Sequence, residues 1–146
     1  MEPIASEHDA RTTVDAMLQA VNDHQLETLA GFFDTDYLNE TPSHPKRSFR
    51  GNAQVRKNWA QIFASVPDVA ARVVSSAVEG ERVWVELEMS GTNTAGGPFR
   101  MRGVVIFSVA GDIIRSARFY LEPVEETSGD VDAAIDRVTH TSHRDT

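Results

Sequence analysis

The sequence predicts an α+β fold, in which a curved antiparallel sheet wraps around three N-terminal helices to form a cone. Apolar residues recur at helical spacing in three N-terminal stretches. From Glu81 to Glu122 they alternate with polar or aromatic residues instead, which is typical of half-buried antiparallel strands. Because the helices precede the long strands, we expect them to cover one face of a single sheet.

Two helices are predicted in the first 36 residues. The first runs from about His8 to Asp23 and has an apolar stripe at helical spacing, formed by Val14, Met17, Leu18 and Val21. The second is shorter and ends near the acidic segment Asp34 to Asp36. Its stripe is formed by Leu26, Leu29, Ala30 and Phe33. Both helices therefore present an apolar face to one core.

A short strand and a third helix follow. The strand, Tyr37 to Thr41, is stopped by Pro42, and the next segment, PSHPKRSFRG, is predicted to be a loop because its prolines lack a backbone N–H. The third helix begins at Asn52, a residue suited to cap a helix, and is closed by Pro67. Its apolar face consists of Val55, Trp59, Ile62, Phe63 and Val66.

Four longer strands complete the predicted sheet. The first lies within Asp68 to Glu79, and the other three fill the stretch that ends at Glu122. After Pro123 the alternation decays, so we predict a domain over residues 1–124 and an acidic tail over residues 125–146. The apolar residues of the tail are spaced for one weak amphipathic helix: Val131, Ala134, Ile135 and Val138.

The composition argues against several functional classes. A length of 146 residues suits one domain, and a net charge of -8 argues against a nucleic-acid partner. The chain has no cysteine, which excludes disulfides and thiol catalysis. Its longest aliphatic and aromatic run is Val104 to Phe107, so no membrane partner is expected. The N-terminus lacks a signal-peptide pattern, which predicts a cytoplasmic protein.

No cofactor or metal is predicted. The sequence contains no GxGxxG motif, no P-loop and no nucleophile elbow. Its histidines form no metal-binding pattern with nearby carboxylates.

A basic cluster lies between positions 46 and 57, where five of the 14 basic residues of the chain occur. Its members are Lys46, Arg47, Arg50, Arg56 and Lys57. Clustered surface charge usually only solubilises a protein, and this interpretation is preferred. The alternative is contact with an anionic tail of a ligand.

The strand from Glu81 has two different faces, because successive side chains point to opposite sides of a sheet. One face is apolar, with Val83, Val85, Leu87 and Met89. The other carries Trp84, Glu86, Glu88 and Ser90. A face rich in carboxylates and aromatic rings is expected to line a wet pocket.

Three segments carry a family resemblance: LQAVNDHQLETLAGFF, the FRG before the third helix, and GVVIFSVAGDIIRSARFYLEP. With them the chain resembles the nuclear transport factor 2-like superfamily, and within it the SnoaL-like group of polyketide cyclases, ketosteroid isomerases and limonene epoxide hydrolases. The resemblance covers about Ala10 to Val124. It implies an internal, largely apolar pocket with a few convergent polar groups.

The resemblance points to residues near the mouth of that pocket. The family pattern places Thr41 at the general-base position of ketosteroid isomerase, with Glu40 beside it. The first-helix tyrosine of that enzyme falls at Met17, and its strand aspartic acid falls at about Gly103, so its apparatus is not matched. Polyketide cyclases place an acidic residue late in the sheet, where Glu122 is the nearest match.

Three residues are predicted to carry catalysis. Glu40 is the candidate general base if burial raises its pKa, and its alternative is a strand-end carboxylate paired with an arginine or with solvent. Arg118 and Tyr120 share one face of the last strand and are predicted to stabilise an oxyanion together. The alternative for Arg118 is a structural ion pair with Glu86 or Glu88.

Six further residues are predicted to bind the ligand: Asn39, His44, Trp59, Glu86, Met101 and Glu122. For Trp59 the alternative is packing in the core, because it lies on the apolar face of its helix. For His44 the alternative is simple exposure in the loop.

Together these features predict a small cofactor-free enzyme that acts by acid–base chemistry on an apolar, carbonyl-containing or polycyclic metabolite. The reaction would be a cyclisation, isomerisation, dehydration or hydration. The alternative is a non-catalytic module of the same fold that binds a hydrophobic ligand or a protein. A homodimer through the outer face of the sheet is also predicted, because both faces of the strands cannot line one pocket.

Overall fold

The computed structural model describes residues 5–127 and 129–144, with side chains described from residue 10 to residue 140 apart from residue 128. These residues form four helices, α1 (Ala5–Asn22), α2 (Leu26–Gly31), α3 (Asn52–Ser65) and α4 (Val131–Arg144). They also form six strands, β1 (Phe33–Glu40), β2 (Phe49–Arg50), β3 (Ala70–Glu79), β4 (Arg82–Thr92), β5 (Pro98–Ala110) and β6 (Ile113–Pro123). One 3-10 turn, Pro45–Arg47, interrupts the loop before β2.

The six strands form one curved sheet in the order β2-β1-β6-β5-β4-β3. The predicted α+β class is therefore confirmed, with the N-terminal helices preceding the long strands. One pairing differs from the antiparallel expectation, because β1 runs parallel to β6. Parallel neighbours need a long connection, and here it contains α3 and four strands. This pairing places the first strand of the chain beside the last one.

The boundary between α2 and β1 differs from the prediction. The helix ends at Gly31, and Phe33, predicted as its last apolar position, is the first residue of β1. The backbone N–H of Ile114 in β6 donates to Phe32 O at 2.8 Å, so the chain pairs with the sheet directly after α2. The Phe33 ring packs edge-on against Tyr37 with 4.9 Å between ring centroids. Tertiary pairing therefore overrides the helical spacing.

Helix α1 is fixed to the sheet by polar contacts as well as by its apolar stripe. Asn22 brackets the backbone of Ala71, donating from Nδ2 to its carbonyl at 3.0 Å and accepting from its N–H at 2.7 Å. The Thr13 hydroxyl donates to Gly111 O at 2.9 Å in the turn between β5 and β6. These bonds hold the helix across the sheet and close one end of the cone.

The inner face of the sheet, which packs against the helices, is the apolar face of β4. Val83, Val85, Leu87 and Met89 are all buried. Trp84, on the opposite side, is 40% exposed. The face expected to line a wet pocket is therefore the outer face of the sheet, because burial of the aliphatic residues against the helices fixes the orientation of the strand.

On this outer face, charged residues of neighbouring strands pair with one another. Glu88 accepts a hydrogen bond of 2.6 Å from Arg72 and also forms an ion pair with Arg102. The bond from Arg72 and the positive charges nearby hold the pKa of Glu88 below its usual value. Its carboxylate is thus a cross-strand partner at neutral pH.

Helix α4 forms where the tail was predicted to allow a helix. Its residues Val131, Ile135 and Val138 are 71%, 58% and 67% exposed. Within the described ranges, no helix combines the length and the hydrophobicity needed to cross a membrane.

Candidate functional site

A cavity of about 330 Å³ lies between α3 and the inner face of the sheet. Its wall is mostly aromatic and aliphatic, and its bulky apolar residues include Phe33, Phe49, Trp59, Phe99, Met101 and Phe119. The α3 side chains reach it because Trp59 and Ile62 lie on the face of the helix that packs on the core. An apolar cavity of this size is suited to a small molecule.

Strand β1 supplies the most deeply placed polar groups of the cavity wall. Tyr37 and Asn39 are two residues apart and therefore share the inner face. The Tyr37 hydroxyl donates to Asn39 Oδ1 at 2.7 Å, and both side chains are buried. Burial raises the pKa of Tyr37 well above its ordinary value of 10.0, so the phenol stays neutral and acts as a donor.

The hydrogen bond from Tyr37 occupies the amide oxygen of Asn39, so the polar atoms of Asn39 that remain for a ligand are its N–H groups. Within the described part of the chain, no hydrogen bond engages Asn39 Nδ2. The amide oxygen of Asn58, on α3, is also engaged, because Oδ1 accepts a hydrogen bond from Gln54 Nε2 at 2.8 Å. Both amides line the cavity with their oxygens already engaged. They are therefore available chiefly as hydrogen-bond donors.

Thr41 and Arg47 complete the polar part of the cavity lining. Thr41 is buried, and its hydroxyl can donate or accept a hydrogen bond. Arg47 is exposed at the mouth and can only donate. Among the described residues that line this cavity there is no carboxylate and no imidazole. The lining therefore offers mainly donors and no ordinary general base.

Three of the predicted ligand-binding residues line the cavity: Asn39, Trp59 and Met101. Trp59 also contacts the Phe63 ring at 5.5 Å between centroids, so it is both a core residue and part of the cavity wall.

The predicted catalytic residues do not converge on the cavity. Glu40 alternates with Asn39 along β1, and its exposed side chain lies on the outer side of the strand. It faces Arg118 of β6, with 3.7 Å between Oε1 and Nε. This arrangement matches the alternative of a strand-end carboxylate paired with an arginine. The predicted ion-pair partner of Arg118 was Glu86 or Glu88. The observed partner is Glu40, on the adjacent strand β1.

The other predicted polar residues also lie away from the cavity lining. Tyr120 is 39% exposed on the same face of β6 as Arg118, while Phe119 and Leu121 point into the cavity. Glu122 pairs with His44 at 3.1 Å. Glu86 alternates with the buried Val85 and Leu87 and so belongs to the outer face. The register of β4 and β6, which the sequence left open, decides all of these placements.

Four polar residues of the cavity were missed as ligand contacts: Tyr37, Thr41, Asn58 and Arg47. A signal existed for Thr41, because the family pattern placed it at a base position. A signal also existed for Tyr37, because it is two residues before Asn39 on a short strand and so points to the same face of the sheet. Arg47 belonged to the noted basic cluster, but only the fold brings it to the cavity.

No group of three or more histidine, aspartate or glutamate side chains in the described residues is arranged to hold a metal ion.

Comparison with protein families gives one match that spans most of the fold. The family model described as SnoaL-like domain matches residues 14–117, from α1 to the middle of β6. No curated protein matches the chain.

Several solved structures share the fold at low sequence identity. A protein with a ketosteroid isomerase-like fold from Catenulispora acidiphila, in complex with trimethylamine, is 18% identical with a TM-score of 0.64, over 80% of this chain and 86% of that one. RV0760c from Mycobacterium tuberculosis, in complex with estradiol-17beta-hemisuccinate, is 15% identical with a TM-score of 0.67, over 86% and 96%. An NTF2-like protein from Cytophaga hutchinsonii is 12% identical with a TM-score of 0.59, over 77% and 89%.

Proposed function

Because this chain belongs to the family of SnoaL-like domains, we propose that its cavity binds one small, largely apolar molecule that carries a carbonyl group. The donor character of the free polar groups supports this proposal. The oxygens of Asn39 and Asn58 are occupied by Tyr37 and Gln54, so the free atoms of both amides are N–H groups. A ligand that brings an acceptor matches them, and a carbonyl oxygen is the simplest acceptor on an apolar body.

The aromatic wall supports a flat or polycyclic body for this ligand. Trp59, Phe33 and Phe119 offer ring faces and edges for stacking, and burying apolar surface against them supplies about 25 cal/mol per Å². RV0760c, a structural relative, is in complex with estradiol-17beta-hemisuccinate, which is in keeping with a polycyclic ligand. Affinity then comes mainly from the rings, and orientation comes from the amides.

The Tyr37–Asn39 pair supports a second candidate, catalysis on the bound carbonyl. An amide donor held in place by a buried phenol, in apolar surroundings, is suited to stabilise negative charge that develops on a carbonyl oxygen. The reaction would be a cyclisation, isomerisation, dehydration or hydration. In this candidate Asn39, rather than Glu40, contacts the reacting oxygen.

A matched pair of ligands and a matched pair of variants test both candidates. 2-Acetylnaphthalene and 2-ethylnaphthalene have similar shapes, but only the first has a carbonyl. In a Trp84→Phe background, where Trp59 is the single tryptophan, fluorescence quenching reports binding at the cavity. We expect the ketone to bind about five- to tenfold more tightly, because one hydrogen bond contributes about 1 kcal/mol. Asn39→Leu is expected to remove this preference, and Glu40→Gln to retain it.

Two outcomes would contradict the proposal. Equal affinity of the wild-type cavity for ketone and hydrocarbon would exclude a carbonyl anchor. A preference that is lost in Glu40→Gln but kept in Asn39→Leu would restore Glu40 as the functional residue of β1. For catalysis, the same variants are compared on any ketone that is turned over, and only Asn39→Leu is expected to lower kcat, by about tenfold or more.

We also propose a homodimer through the outer face of the sheet. Trp84 and Tyr120 leave about two fifths of their surface exposed there, among charges of both signs such as Glu88 and Arg102. Mixed charges around aromatic residues allow a face to pair with a second copy of itself by a two-fold axis. Light scattering at micromolar concentration should give twice the monomer mass, and a monomer would contradict this proposal.

The absence of a cofactor, the absence of a nucleic-acid partner and the cytoplasmic location stay predictions from the sequence.

A further inference from the structure

One charged side chain, Arg47, lies at the mouth of an otherwise neutral cavity. It is the only charged residue among the described residues of the lining. The 3-10 turn that carries it is tied down by backbone hydrogen bonds, from Arg47 N to His44 O at 2.9 Å and from His44 N to Thr41 O at 2.8 Å. The Ser48 hydroxyl accepts a further bond from Thr41 N at 3.2 Å. The guanidinium is therefore carried by an ordered loop anchored to the end of β1.

Arg47 pairs with no carboxylate among the residues whose side chains the structure describes, although most of the 22 acidic residues of the chain are among them. In the part of the chain that the structure describes, no hydrogen bond or ion pair engages its guanidinium. Two other arginines do have partners: Arg56 donates to Glu27 at 2.9 Å, and Arg118 lies 3.7 Å from Glu40. Arg50 has no such partner among the described residues. In a protein with a net charge of -8, an arginine left unpaired beside an apolar cavity has its donors free for a ligand.

We infer that the ligand is an amphipathic anion, whose apolar body fills the cavity and whose oxyanion, such as a carboxylate or sulfonate, lies at the mouth against Arg47. This inference rests on the proposed function, and it adds the charge of the ligand to it. Guanidinium groups bind oxyanions through two parallel N–H donors, which fixes orientation as well as charge. The apolar wall beside the mouth reduces screening by water and strengthens the contact relative to an open surface.

The chain offers a matched control for this contact. Lys46 precedes Arg47 on the same turn and has the same charge, but it does not belong to the cavity lining. Lys46→Gln and Arg47→Gln therefore change the net charge equally. If anions are attracted by the basic cluster in general, both variants lower the affinity for an anion equally. If Arg47 makes a specific contact, only Arg47→Gln lowers that affinity.

Two fluorescent probes with the same aromatic body separate charge from apolar binding. 1-Anilinonaphthalene-8-sulfonate carries one negative charge, and N-phenyl-1-naphthylamine is neutral. We expect Arg47→Gln to weaken binding of the sulfonate about fivefold and to leave the neutral probe within about twofold. Lys46→Gln should leave both probes within about twofold, and Arg47→Lys should retain part of the sulfonate affinity. A naphthylalkyl carboxylate and its primary amide, used as competitors, show whether carboxylates are bound as sulfonates are.

The outcomes distinguish this inference from the proposed function. If the neutral probe binds the wild-type cavity but sulfonate affinity is the same in Arg47→Gln, the inference is overturned and the cavity proposal stands. Equal weakening by Lys46→Gln and Arg47→Gln also overturns it, because the effect is then one of general charge. If neither probe binds the wild-type protein, both proposals fail. Unchanged thermal unfolding of the two surface variants verifies that they are folded.

Discussion

Replacing Gly103 with alanine is expected to cost about 3 kcal/mol or more of folding free energy, a large fraction of the roughly 5–15 kcal/mol by which a domain is stable. Gly103 lies in β5 opposite Leu121, with φ at 154°. A Cβ atom added there would lie 2.0 Å from the carbonyl oxygen of Tyr120, which is backbone and cannot rotate away. The pairing of β5 with β6 would have to open. Urea unfolding monitored by circular dichroism measures the change.

Gly80→Ala is the matched control for this prediction. Gly80 has a φ of 60°, in the left-handed region, but a Cβ there would meet no atom within 4 Å. Its substitution should therefore cost only the energy of holding an alanine in the left-handed backbone conformation, about 1 kcal/mol. A Gly103→Ala protein as stable as Gly80→Ala would mean that the two strands separate easily at this point.

Above pH 10, folding stability is expected to fall by about 1.4 kcal/mol per pH unit because of Tyr37 alone. Burial raises the pKa of this phenol in the folded state above its ordinary value of 10.0. The unfolded chain therefore loses the Tyr37 proton first. The contribution of the neutral Tyr37 phenol to folding stability is constant below pH 10. It is progressively lost as the pH rises toward the raised pKa of the folded state. By pH 11.5 the loss should reach about 2 kcal/mol.

Tyr37→Phe should remove this alkaline slope, at a cost of about 1 kcal/mol at neutral pH because Asn39 loses its hydrogen bond from the phenol. Tyr120→Phe is the control, since Tyr120 is the other tyrosine of the chain and is 39% exposed. Denaturant unfolding at pH 8, 10 and 11.5 gives the difference between each variant and the wild-type protein. An alkaline slope that persists in Tyr37→Phe would show that other groups control it.

The fold was predictable from the sequence because its elements obey local rules. The apolar stripe of α1 and the alternation of β4 give the element type and the buried face without tertiary information. The prediction failed at Phe33, where helical spacing and strand pairing compete for the same residue. It also missed the parallel pairing of β1 with β6, which depends on a contact between distant segments that no local pattern encodes.

The site was less predictable because it depends on which way neighbouring residues point. Asn39 and Glu40 are equally polar and adjacent, yet only Asn39 faces the cavity. A carboxylate attracts attention as a catalytic group, whereas the amide beside it does not. The sequence also cannot show that Tyr37 engages the amide oxygen and thereby turns Asn39 into a donor. That property arises from the placement of two side chains on one strand.

The parallel pairing of β1 with β6 has a consequence for how the protein is made. Phe33 and Asn39 form one wall of the cavity, and Phe119 and Leu121, which a ribosome adds some 80 residues later, form another. A nascent chain that ends before β6 can form its helices and early hairpins, but it lacks the strand beside β1. Such long-range pairings form late and slowly. During synthesis, the exposed edge of β1 is therefore a point where chaperones or aggregation compete with folding.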